Sequence, residues 1–290
     1  MNSQLRITTT VLLLGLAAAC SIDREFRPGP QHVVLQSGDV APAAAVPESL
    51  LVVSYNIQFA EHVDQALDDL RTAGLDRPDI LLLQEMTPEG VVAIADELGL
   101  NHVYHPAAVH PHHSKLFGNA ILSPWPITAD RILVLPHPHP WSGHNRIAAA
   151  CDLDIGGRRV RTISLHLATA VVAAQQRFEQ AVAVVDSLVA GFDGPVVIGG
   201  DFNTSAPNDI INIRKHYRRA QRLLPVRLPP YCTVRWHMWR VLDVGCKLDH
   251  LFVRGLRAGS SGITDGAEAS DHFPIWARLG WSPARGPSAP

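Results

Sequence analysis

Short apolar runs, each closed by a polar group, recur along this chain and alternate with stretches whose apolar positions fall every three or four residues. Leu51-Val52-Val53-Ser54-Tyr55, Ile80-Leu81-Leu82-Leu83 and Pro195-Val196-Val197-Ile198 are continuous enough to predict strands buried on both faces. Arg158 to Leu167 alternates instead, with Ile163, Leu165 and Leu167 on one face. Ala120-Ile121-Leu122, Ile147 to Leu153, Leu248 to Val253 and Ile275 to Leu279 are further strand candidates. Val172 to Ala190 carries Phe178, Ala181, Val182, Val185, Leu188 and Val189 at helical spacing, and Val63 to Thr72 and Glu89 to Leu98 predict shorter helices. Strands and helices mixed in this way imply stacked layers of sheet and helix.

Composition places these elements in one ordered domain. Of 290 residues, 47% are hydrophobic, which excludes a disordered chain and supplies a sizeable core. Lys and Arg number 25 against 27 Asp and Glu, so nothing global demands a nucleic-acid or membrane partner and any basic patch must be local. At the N-terminus, Arg6 precedes an apolar stretch from Val11 to Ala19 that is too short to span a bilayer but has the proportions of a signal-peptide core. Leu16-Ala17-Ala18-Ala19-Cys20 resembles a bacterial lipobox, although a larger aliphatic residue usually stands three places before the cysteine. The expectation is therefore a signal peptide over 1–20 with Cys20 lipidated, leaving the protein in the bacterial cell envelope. The bland alternative is an ordinary cleaved signal and secretion. Residues 21–49, rich in Pro, Gly and Ala, are expected to form a flexible linker, 50–281 the domain, and 282–290 a tail. Cys232 and Cys246 could close a short loop as a disulfide, with Cys151 a buried thiol; no CxxC spacing suggests zinc.

Chemically capable residues sit at the ends of the apolar runs. Asn56 follows the first, Gln84-Glu85 the second, His166 the alternating strand, and Asp201 and Asn203 follow Gly199-Gly200. Asp249-His250 open another run, and Asp271-His272 precede the last. Strand ends are rigidly placed and can converge on one cleft. Singly, each has a structural reading: a helix cap, a Gly-Asx turn, a hydrogen-bonded histidine. As a set they suit hydrolysis of a phosphate ester. A hard cation such as Mg²⁺ needs few carboxylates, with Glu85 the first choice of ligand and Asn56 and Asp271 supplying further oxygens. The remaining histidines and aspartates can orient water, stabilise new charge and protonate the leaving oxygen.

Ser54-Tyr55-Asn56-Ile57-Gln58, Leu83-Gln84-Glu85, Gly118-Asn119-Ala120-Ile121-Leu122-Ser123, Ser164-Leu165-His166-Leu167, Gly200-Asp201-Phe202-Asn203, Leu248-Asp249-His250 and Ser270-Asp271-His272-Phe273-Pro274-Ile275 resemble the ordered motifs of the endonuclease/exonuclease/phosphatase superfamily. That group includes deoxyribonucleases, apurinic endonucleases, sphingomyelinases and inositol-polyphosphate phosphatases. The resemblance implies an α+β fold, a four-layer sandwich of two packed mixed β-sheets flanked by helices, in agreement with the layer reading. It implies a metal held by Glu85 with Asn56 beside it, which agrees with the expected Mg²⁺, for which Mn²⁺ could substitute. Asp201 would orient or deprotonate water, Asn203 would hold the phosphate, and His272, aligned by Asp249, would be a base or stabilise the transition state. His166 would face the leaving oxygen, where apurinic endonucleases carry a tyrosine. Asn119 is expected to contact substrate, and Arg146 either to contact the phosphate or to be a structural ion-pair partner.

Substrate choice has one local signal. From Asn212 to Leu242 there are eight basic residues and no Asp or Glu, with Tyr217, Tyr231, Trp236 and Trp239 interleaved. Such a segment could grip a nucleic-acid backbone, rest on anionic headgroups, or be a solvated surface. Histidines crowd His102 to His113 and recur at His137, His139 and His144, expected on loops around the cleft mouth. The leading expectation is an exported, monomeric, Mg²⁺-dependent phosphodiesterase with nucleic acid favoured. A phospholipase C-like, sphingomyelinase-like or inositol-phosphate phosphatase activity is the enzymatic alternative, and a non-catalytic surface lipoprotein the alternative of another class.

Overall fold

The computed structural model describes Arg27–Pro28, Leu35–Ser37 and residues 45–109, 115–238 and 242–282. The expected signal segment with Cys20, the loop histidines His110, His112 and His113, Trp239, Arg240 and the tail from 283 lie outside them. In chain order the elements are β1 (Arg27–Pro28), β2 (Leu35–Ser37), β3 (Ser49–Asn56), α1 (Val63–Thr72), β4 (Ile80–Met86), α2 (Pro88–Leu98), β5 (Asn101–Val109), β6 (Leu116–Ser123), β7 (Ile127–Val134), β8 (Ile147–Ile155) and β9 (Arg158–His166). There follow α3 (Ala174–Val184), β10 (Val196–Asp201), α4 (Pro207–Gln221), β11 (Leu224–Pro225), β12 (Val234–Met238), β13 (Leu242–Cys246), β14 (Asp249–Arg254), β15 (Leu256–Ile263) and β16 (Ile275–Trp281).

One sheet runs β1-β5-β6-β4-β3-β16-β15, with β2 also on β5; the other runs β11-β14-β10-β9-β8-β7; β12 and β13 pair with each other. Strand alternation explains the layers. Leu50 and Val52 of β3 and Leu82 of β4 point inward and meet Leu153, Val160, Val197 and Leu251 of the second sheet. Leu51, Val53 and Tyr55 point outward onto Leu67 and Leu70 of α1 and Val91 and Ile94 of α2. On the far side Ile163, Leu165 and Ile198 pack against Val184, Ile213 and Tyr217 of α3 and α4. The four layers expected of the fold are present.

Several boundaries differ from the expectation. Within 21–49, Arg27–Pro28 and Leu35–Ser37 pair with β5, so parts of the expected linker lie on the sheet edge. The long helix from Val172 ends as α-helix at Val184 and continues as one π-helical turn to Val189. Cys232 and Cys246 are free thiols. The basic segment begins inside a regular helix, α4, which Pro207 starts at its first turn.

His250 shows what the outer core does to a histidine. It lies against Phe202 and Phe252, with ring centroids 5.6 and 6.5 Å away. Burial pushes its pKa down to about 3, with Arg214 and Lys247 acting in the same direction. Its unfolded value is about 6.5, so below that pH the unfolded chain takes a proton that the folded chain refuses. This contribution to stability is complete above pH 6.5 and is lost between there and about pH 3, at up to about 1.4 kcal/mol per pH unit. Thermal midpoints between pH 7 and 4 are expected to fall less steeply for His250→Phe than for wild type. Parallel curves would contradict this.

Candidate active site

Strand register brings the polar strand ends together. Asp201, the last residue of β10, is directly opposite His166 of β9 on one side and Asp249 of β14 on the other. In the facing sheet Asn56 ends β3 opposite Gln84 of β4, and Glu85 follows. A bulge between Leu83 and Met86 breaks the β4–β6 register there, and Glu85 has φ 61°, an uncommon backbone state for a residue with a Cβ. Gly200 is required by close approach: a Cβ there would lie 1.8 Å from the Leu165 carbonyl oxygen. Asn203 has φ 47°, which Asn tolerates.

These side chains meet around Asp201. Its Oδ2 lies 3.4 Å from Asn56 Nδ2, 3.0 Å from Asn203 Nδ2, 3.4 Å from His166 Nε2 and 3.7 Å from His272 Nε2. The Asn203 backbone N–H donates to Asp201 Oδ1 at 2.8 Å. His272 Nδ1 is 3.0 Å from Asp249 Oδ2. The loop that carries His272 is pinned by Ser270, whose hydroxyl donates to the Asn56 carbonyl at 2.7 Å and accepts from the His272 N–H at 3.1 Å. Asn56 Nδ2 also faces Glu85 Oε1 at 3.3 Å, and His166 Nε2 is 3.9 Å from the same oxygen. All seven catalytic and metal candidates other than Asp271 therefore form one constellation, with Asp201 and Asn56 both 1% exposed.

Electrostatics follow from burial. Desolvation raises the Glu85 pKa to about 7, partly opposed by Arg146. Asp201 is pushed up to about 6 by burial against the opposing charge of His272. Burial alone would lower His272, but Asp249 and Asp201 outweigh it and hold the ring well above its ordinary value. His166, buried and facing the positive Arg146 and His272, is held neutral, well below the ordinary range.

The other expected residues divide. Arg146 is buried, its guanidinium 5.3 Å from the Phe117 ring centroid, and its charge reaches Glu85, His166 and Asp201. Asn119 donates its amide hydrogens to the Ile147 and Ser164 carbonyls at 3.2 and 3.1 Å, tying the two sheets together. Asp271 is partly exposed and acts on Glu85 and His272 through its charge. Behind Glu85, Gln84 donates to Ser164 Oγ at 2.9 Å and Ser164 to the Leu83 carbonyl at 2.9 Å, a buried support.

Two groups of donors could accept a cation. The ligand atoms of Asp201, Asp249 and His272 lie within 4.8 Å of one another. There, however, the His272 ring already lies between the two carboxylates and supplies the positive charge they need. Beside Glu85 the case is better: Asn56 Oδ1 is buried with no hydrogen-bond partner, next to a carboxylate that burial disfavours as an anion. A hard, oxygen-seeking cation satisfies both groups at once.

Residues 53–272 match the family model described as the Endonuclease/Exonuclease/phosphatase family. The chain belongs to this family. Its members are metal-dependent, hydrolytic phosphoesterases, in accord with the donor set around Glu85. No curated protein matches the sequence. Solved structures share the fold. An endonuclease/exonuclease/phosphatase protein from Beutenbergia cavernae is 19% identical with a TM-score of 0.64, over 81% of this chain and 72% of that one. D. rerio TDP2 complexed with a single-strand DNA product is 16% identical with a TM-score of 0.62, over 80% and 99%. A mannosyl-6-phosphatase from Bacteroides thetaiotaomicron is 17% identical with a TM-score of 0.62, over 80% and 99%. At these identities the family likeness extends to fold, and the choice of substrate rests on this chain's own surface.

Proposed function

We propose that the protein is an exported, Mg²⁺-dependent phosphodiesterase that cleaves by in-line attack of water and prefers nucleic acid. The observation that supports this most strongly is the crowding of Asn56, Asn203, His166 and His272 around one Asp201 oxygen, beside Glu85. Asp201 is the group to orient the attacking water and take its proton, because His272, between two carboxylates, already carries one. The charged His272 ring, held by Asp249, stabilises negative charge on the phosphoryl oxygens, and Asn203 and Arg146 assist. Neutral His166 donates a hydrogen bond to the leaving oxygen. Mg²⁺ at Glu85 and Asn56 would add Lewis-acid stabilisation of the same charge, with Mn²⁺ able to substitute.

Nucleic acid is favoured by the basic face of α4. Beyond Asn203, a cleft of about 280 Å³ between α3 and α4 is lined by Gln175, Thr204, Asn212, Lys215 and Arg219, with Asp209 the one acidic group among them, a path for a polyanion leaving the site. One observation favours phospholipid headgroups as a second reading. Arg27 pairs with Val109, whose neighbour in β6 is Leu116, at the same end of the sheet as Glu85. Cys20 stands seven positions earlier, at most about 25 Å of extended chain, so a lipid there would hold the cleft near a membrane surface. Among the described residues no helix is long and apolar enough to cross one.

The full chain with and without Mg²⁺, presented with plasmid DNA, RNA, sphingomyelin vesicles and inositol phosphates, tests the choice. Mg²⁺-dependent nicking of plasmid is expected. Release of phosphorylated headgroup with plasmid intact would replace the first reading by the second.

A further inference from the structure

The dyad of Asp249 and His272 is assembled from segments 23 positions apart, and one residue outside the catalytic set touches the backbone of both. Thr233, fully buried, immediately precedes β12. Its Oγ1 accepts hydrogen bonds from the backbone N–H groups of Leu248, at 2.9 Å, and Asp249, at 3.1 Å. A threonine hydroxyl has two lone pairs, and both are used here. Its carbonyl accepts from the Phe273 N–H at 2.8 Å, and its own N–H donates to the Cys246 carbonyl at 3.0 Å. The next two residues continue the seam: Val234 forms a β-bridge with His272, and the Arg235 N–H donates to the Asp271 carbonyl at 2.7 Å. Thus the hydroxyl holds the strand that presents Asp249, and the backbone holds the loop that presents His272.

We propose that Thr233 is the positioning residue of the Asp249–His272 dyad, acting through Asp249 by way of its hydroxyl. The inference rests on the proposed phosphodiesterase reading, in which that dyad serves the reaction. The backbone bonds are open to Val and Ser as they are to Thr, so the hydroxyl can be tested by itself. Val copies the shape of Thr and leaves the Leu248 and Asp249 N–H groups without an acceptor; Ser retains the acceptor.

Steady-state turnover of bis(4-nitrophenyl) phosphate with saturating Mg²⁺ is the measurement, on full-length protein whose fold is checked by circular dichroism. Thr233→Val is expected to lower kcat by about 30-fold and change KM by less than about threefold, and Thr233→Ser to stay within about threefold of wild type. In an Asp249→Ala background, Thr233→Val is expected to cost less than about threefold, because the group it aligns is gone. A folded Thr233→Val enzyme with wild-type kcat overturns the proposal, as does an equal loss in both backgrounds. Should Thr233→Val fail to fold, Thr233→Ala carries the same two comparisons. His272→Ala separates the layers: activity retained there refutes the function itself, whereas a dead His272→Ala beside a fully active Thr233→Val refutes only the role of Thr233.

Discussion

His272→Ala is expected to cut phosphodiester turnover by about three orders of magnitude, equivalent to about 4 kcal/mol of transition-state stabilisation. The size follows from where the ring stands. Its Nδ1 is committed to Asp249 at 3.0 Å and its Nε2 faces Asp201 at 3.7 Å, so the imidazolium is fixed before substrate arrives. A preorganised charge in a buried site is worth far more than the same charge in water. His272→Asn, which keeps much of the volume, is expected to lose as much, since it restores packing without charge. Asp249→Ala, which frees the ring but leaves it present, is expected to lose only about 10- to 100-fold. Initial rates at saturating substrate, with far-UV circular dichroism as the control for fold, give the comparison. Equal activity of the Asn variant and wild type would remove His272 from the mechanism.

Glu85→Gln is expected to raise the Mg²⁺ concentration for half-maximal activity by about 100-fold, because it removes a carboxylate that faces Asn56, whose Oδ1 has no hydrogen-bond partner, and that, unlike Asp201, no neighbouring imidazolium neutralises. Glutamine has the same shape, so the strained backbone at residue 85 is not asked to change. In wild type the buried carboxyl, raised to about 7, must give up its proton as the cation binds, and the bound cation then stabilises the folded state. The thermal midpoint of wild type should therefore rise with Mg²⁺ at pH 8, while that of Glu85→Gln stays level over the same range. Identical Mg²⁺ midpoints for the two proteins, in activity and in melting, would move the cation site away from Glu85.

Much of this site was legible in the sequence because it is made at strand ends. A buried strand writes itself as an apolar run, and the polar residue that closes it is visible by contrast, as at Asn56, Glu85 and Asp201. What joins those residues was not legible. Parallel pairing of β9 with β10 and antiparallel pairing of β10 with β14 put His166, Asp201 and Asp249 abreast, and pairing leaves no mark on either strand alone. Asp249-His250 read as one motif, yet strand alternation sends Asp249 into the site and His250 into the aromatic layer under α4. Thr233 gave no signal, since a single threonine ahead of a basic, aromatic stretch has no periodicity to betray its two acceptor bonds. The edges were the hardest part of the fold. β1 and β2 are two and three residues long among prolines, β7 is partly exposed along its length, and β15 is broken by Gly and Ser. β7 and β15 lack the uniform burial that makes central strands conspicuous.

In the proposed function these strand ends form one metal-assisted centre for phosphate-ester hydrolysis. Its most direct test is the rate at which full-length protein, stripped with EDTA, cleaves a phosphodiester before and after excess Mg²⁺ is returned. Background cleavage in the stripped protein and full recovery on adding Mg²⁺ are expected in wild type but not in Asp201→Ala. Cleavage that persists undiminished in EDTA, or that recovers equally in Asp201→Ala, would contradict it.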